Sequence, residues 1–131
     1  MPARNDALRG LVRQWIAKAE EDLAVARQLL RENTLFASTV CFHAQQAAEK
    51  WLKAVLTQTQ APFPKTHDLA ILLDLLAAAS PDVTHILTDA VTLSAYGVEC
   101  RYPAELPPLT AGDARRAVEL AEHEGMSFVP C

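Results

Sequence analysis

The 131-residue chain carries only four glycines and three cysteines. Few glycines, together with β-branched residues scattered rather than clustered, favour helices over strands. The cysteines, Cys41, Cys100 and Cys131, are odd in number and make no disulfide framework. Cys41 and His43 lie two apart and on a helix would point about 200° from one another, so they cannot share one metal ion. There is no Cys-x-x-Cys pair, and no metal site is expected. No apolar run reaches the ~20 residues of a membrane span, and the opening residues lead into an amphipathic helix instead of an apolar signal core. A cytoplasmic location is the resulting expectation. Charge of one sign is also lacking. With 12 basic and 16 acidic groups the formal net charge is −4, which gives no global attraction to nucleic acid. No DNA-binding motif, glycine-rich phosphate loop, Gly-x-Ser-x-Gly elbow or His-Glu-x-x-His signature is present, and no cofactor is expected.

What the chain does have is apolar mass: 50% of its residues are hydrophobic, dominated by Ala and Leu. These side chains lose little rotamer freedom in a helix. The length suits one domain, residues 1–131, burying roughly two-thirds of its unfolded surface. The expected architecture is all-α: an up-and-down bundle of four long helices plus a shorter fifth.

Leu8, Val12, Trp15, Ala19, Leu23, Ala26 and Leu30 recur at helical spacing and predict a first helix from about Asp6 to Glu32. A second helix, about Leu35 to Thr59, has a broad apolar arc of Phe36, Val40, Ala44, Ala47, Ala48, Trp51 and Val55, which places it at the centre of the bundle. Pro62-Phe63-Pro64 stops it. Thr66 is read as the N-cap of a third helix, His67 to Ala79, with His67 in a local capping or packing role. Ser80-Pro81-Asp82 starts a fourth helix through Val83, Leu87, Ala90, Val91 and Ser94. After a loop containing Pro103, Pro107 and Pro108, Thr110 and Asp113 form a capping box for a fifth helix that carries Ala114, Ala117, Val118 and Ala121 and ends near Gly125.

Polar groups fall where a core is expected. Beside the apolar arc of the second helix, His43, Gln46, Lys50 and Lys53 align as a stripe. Asp22 falls on the apolar side of the first helix, where a carboxylate needs a partner. His43, Lys50, Lys53 and Arg101 are the candidates. His43 is a candidate proton acceptor. Lys50 and Lys53 are candidate phosphate contacts, or solvated ammonium groups whose stems cover the bundle. Arg101, followed by Tyr102 and held by Pro103, is a candidate clamp for a phosphate, or a cap for helix carbonyls.

The runs AEEDLAVARQLL (residues 19–30), CFHAQQAAEKWLKAVL (41–56), PFPKTHDLAILL (62–73) and YGVECRYP (96–103) together resemble the HEPN domain family. The resemblance spans about residues 10 to 125. It implies a HEPN-like helical bundle that forms homodimers and is often paired with a minimal nucleotidyltransferase as a toxin–antitoxin couple. Many members are metal-independent ribonucleases that use an arginine and, after four to six residues, a histidine. Arg101 matches the arginine. The positions where the histidine would fall hold Leu106, Pro107 and Pro108, none of which moves a proton, so the nuclease pattern is incomplete. The leading expectation is a nucleotide- or RNA-phosphate-binding module presenting Asp22, His43, Gln46, Lys50, Lys53, Arg101 and Tyr102. One alternative is a ribonuclease using Arg101 with His43 as a non-standard base. The other is a non-catalytic interaction subunit, with Phe42, on the polar side of the second helix, as a contact.

Overall fold

The computed structural model describes residues 2–32, 36–79, 90–93 and 109–127. Every regular element among them is helical: α1 (Pro2–Glu32), α2 (Ala37–Gln58), α3 (Leu69–Ala79) and α4 (Ala111–Ser127), with a further helical stretch at residues 90–93. The all-α bundle read from the sequence is the fold. Of the expected fourth helix, residues 90–93 are helical, burying Ala90 and Leu93. The rest of that helix, and the loop carrying Arg101 and Tyr102, lie outside the described residues.

α2 is the hub. It packs most extensively against α1 and also touches α3 and α4, while α1 reaches α4. Contacts pair Asp22 with His43 and Lys50, and Trp15 with Lys53. Higher numbers on one helix meet lower numbers on the other, so α1 and α2 run antiparallel. The core is made largely of small side chains: Ala19 and Ala26 of α1, Ala44, Ala47 and Ala48 of α2, and Ala114, Ala117 and Ala121 of α4 are all buried. Alanine at a helix contact lets backbones approach closely, which brings polar groups on neighbouring helices within hydrogen-bonding reach. Leu69, Leu72 and Leu76 of α3 join Leu52 and Leu56 of α2 in the same buried core.

The helix ends show where local chemistry departs from the expected boundaries. α1 begins at Pro2, ahead of Asp6; proline suits a first turn, where its missing N–H has no intrahelical partner anyway. Phe36, placed in the apolar arc of α2 by its spacing, instead sits at the N-cap and is exposed. α2 ends before the prolines reach it. Gln60 adopts φ 60°, and the N–H groups of Gln60 and Ala61 bond the carbonyls of Thr57 and Leu56, closing a Schellman motif. The N-cap of α3 is Asp68, not Thr66: Asp68 Oδ1 accepts the Ala70 N–H, while Thr66 Oγ1 accepts the Asp68 N–H. The capping box of α4 is as expected, with Thr110 N–H donating to Asp113 and Asp113 N–H donating to Thr110 Oγ1.

Gly125 does not end α4, which continues to Ser127. Its role is a close approach. A Cβ built there would lie 2.4 Å from the nearest carbon of the Trp51 ring. Glycine costs a helix interior about 1 kcal/mol relative to alanine, but wedging a methyl into a rigid indole costs about 1–3 kcal/mol. The steric term is the larger, and Gly125→Ala is expected to destabilise the fold by up to about 2 kcal/mol net of its helix preference. Urea denaturation measures this, and a stabilised variant would contradict the packing.

Candidate functional site

Two clusters of charged side chains are built on α2. In the first, Asp22 reaches across from α1. Its Oδ1 lies 2.9 Å from His43 Nδ1 and its Oδ2 accepts from Lys50 Nζ at 2.7 Å. Lys50 also donates to Gln46 Oε1 at 3.2 Å. The side chains of Asp22, Lys50 and His43 are 16%, 18% and 26% exposed, so the cluster is half-sunk with its imidazole outermost. His43 sits one turn before Ala47 and two before Lys50 on the same helix face, which is why a single carboxylate can serve both. The ring of Phe42 meets the His43 ring edge-on at 5.4 Å.

The chemistry of this cluster follows from its charges. An ion-paired Asp22 accepts hydrogen bonds and donates none, so His43 carries its proton on Nδ1. In the neutral ring the lone pair is then on Nε2. Asp22 and Lys50 cancel, so Lys50 offers little net attraction to an anion. The group left for chemistry is His43, held in one tautomer and one orientation.

The second cluster was not read from the sequence as a unit. Lys53, expected to continue the stripe, turns away from Asp22. It is buried and donates to Glu49 Oε2 at 3.0 Å, with its ammonium 5.2 Å from the centre of the Trp15 ring. Glu49 also holds His67, whose Nδ1 is 3.1 Å from Oε1. His67 therefore does not cap its own helix; it reaches back to α2, and Thr66 and Asp68 do the local capping. The side chains of Glu49 and Lys53 are 2% and 7% exposed, that of His67 73%. The i,i+4 spacing of Glu49 and Lys53 was a visible signal for their pairing. Nothing local pointed to His67.

Of the residues singled out from sequence, the structure thus joins Asp22, His43, Gln46 and Lys50, and separates Lys53. Arg101 and Tyr102 lie outside the described residues. Among the described residues no three His, Cys, Asp or Glu side chains group to hold a metal ion, and no helix is long and apolar enough to cross a membrane.

A family model for the HEPN domain matches residues 12–123. The chain belongs to the HEPN family. Its fold is similar to the crystal structure of an archaeal HEPN homologue, with a TM-score of 0.66 and 28% identity, covering 89% of this chain and 93% of that one. No curated protein matches the chain. The region matched to the HEPN domain contains both clusters, from Trp15 and Asp22 to His67.

The two clusters of this HEPN domain differ in burial, and that sets their energetics. Removing one partner of a buried pair strands the other charge, at about 3–5 kcal/mol, whereas a pair open to water contributes about 0–1 kcal/mol. Lys53→Met is therefore expected to cost about 3 kcal/mol or more, and Lys50→Met about 1–2 kcal/mol, since Asp22 keeps access to water. Denaturant midpoints of the two variants check this. Equal losses would mean that Glu49 is no more isolated from solvent than Asp22.

Proposed function

We propose that this HEPN protein is a binding module for phosphate-bearing ligands, nucleotides or RNA, acting as a homodimer beside a minimal nucleotidyltransferase in a two-gene, toxin–antitoxin type of system. The observation that carries the binding reading is the preformed cluster of Asp22, His43, Gln46 and Lys50, with His43 oriented by a carboxylate and partly open to solvent. Such preorganisation lowers the ordering cost of binding a polar ligand. Because Asp22 neutralises Lys50, positive charge for the phosphate comes from protonated His43 and, by the sequence reading, from Arg101 with Tyr102 beside it. The homodimer, the partner protein and the cytoplasmic setting rest on the family resemblance and the sequence.

The Asp22–His43 bond also favours a second reading, a metal-independent ribonuclease. There His43 Nε2 takes the proton of a 2′-hydroxyl, the 2′ oxygen attacks the adjacent phosphorus, the 5′ oxygen leaves with a proton from solvent, and Arg101 steadies the developing charge. The absent histidine after Arg101 weighs against it.

Binding of a labelled single-stranded RNA and of ATP, followed by fluorescence anisotropy and competition, tests the first reading. Affinity is expected to fall as salt rises, with a log–log slope for RNA steeper than about −1. Arg101→Ala or Lys50→Ala should weaken it about tenfold or more, the latter because the Asp22 carboxylate then faces the ligand unneutralised. Absent or salt-insensitive binding contradicts this reading. Metal-free release of a cyclic phosphate, abolished in both His43→Ala and Arg101→Ala, would replace it with the second.

A further inference from the structure

The buried pair of Glu49 and Lys53 is electrically neutral by itself. The additional bond from Glu49 goes to an imidazole that is mostly open to water. Ion pairs and hydrogen bonds to so exposed a side chain contribute little to stability, so the fold gains little from His67. What the bond does is fix the ring. Glu49, ion-paired to Lys53, is an acceptor only, so the imidazole proton sits on Nδ1 and Nε2 faces away from the carboxylate. The loop that delivers His67 is stiffened by Pro62 and Pro64. Phe63, between them, lies 6.3 Å from Trp15, and both rings are partly exposed. Lys65, two residues before His67, is exposed. Asp68, the nearest acid in sequence, is engaged in capping α3.

We propose that this corner is a second ligand-binding site: His67 Nε2 hydrogen-bonds a phosphate oxygen, Glu49 positions the ring, and Phe63 with Trp15 forms a wall for a nucleobase or sugar. The proposal rests on the nucleotide and RNA reading above, and adds to it a contact remote in sequence from His43. To donate to a phosphate oxygen, His67 takes a second proton from solvent onto Nε2. With Glu49 and Lys53 cancelling, the cluster then presents one net positive charge to the anion. An RNA strand that touches both imidazoles would follow α2 from His43 toward the 61–68 loop.

His67→Asn separates this role from a structural one. The asparagine amide can take the place of Nδ1 and keep the bond to Glu49, but nothing replaces Nε2. Affinity for a labelled single-stranded RNA, or for ATP, is expected to fall about tenfold, with a thermal midpoint within about 2 °C of the parent. On titration of the unsubstituted protein with ATP, the nitrogen resonance of His67 Nε2 should move into the protonated range. If the parent binds RNA or ATP and His67→Asn binds equally well, this second site is overturned while the binding function stands. If the parent binds neither, the function reading fails and this inference fails with it.

Discussion

The structure depends on one constraint: α2 runs through the middle of the bundle and still carries three charged residues and a histidine. A helix enclosed by α1, α3 and α4 offers those groups little water. An unpaired charge in such a place is expensive, so each must find its counter-charge within reach. Two carboxylates supply this, Asp22 from α1 and Glu49 from α2 itself. Each neutralises one lysine and also accepts from a histidine Nδ1: Asp22 uses one oxygen for each partner, while both oxygens of Glu49 face His67 and Oε2 also takes Lys53. The small core residues are part of the same arrangement, since alanine contacts bring α1 close enough for Asp22 to reach across.

Much of this was legible in the sequence. Helical spacing of Leu8 to Leu30, the breadth of the apolar arc on the second helix and the Thr110–Asp113 box marked the bundle, its central member and the start of α4. Asp22 stood out because a carboxylate on an apolar face demands a cation, and His43 and Lys50 were among the named candidates. What stayed hidden required the third dimension. Lys53 shares a stripe with Lys50 on a helical wheel, yet the wheel does not show that Trp15 and Glu49 draw it the other way. His67 lies 18 residues from Glu49, and only the turn after Gln60 brings its loop back to α2. The last helix ends two residues past the Gly125 expected to lie near its end, and the spacing gave no sign that this glycine's missing side chain makes room for Trp51.

Membership of the HEPN family fixes the fold and leaves the chemistry to the particular residues. The arginine–histidine spacing that the sequence resemblance implies is not met after Arg101, where Leu106, Pro107 and Pro108 stand. Among the described residues, the imidazoles of His43 and His67 are each held by a carboxylate whose charge is balanced by a lysine. It is the basis of the proposed anion recognition, in which the lysines hold the carboxylates in place and the histidines are the adjustable donors.

The most direct test of this account is the tautomeric state of His43 and His67, read from long-range proton–nitrogen correlation spectra at a pH where the rings are neutral. The account requires both rings to carry their proton on Nδ1, facing Asp22 and Glu49. Finding either ring with its proton on Nε2 and a bare Nδ1 would mean that the carboxylate does not hold it, and would contradict the shared design of the two clusters.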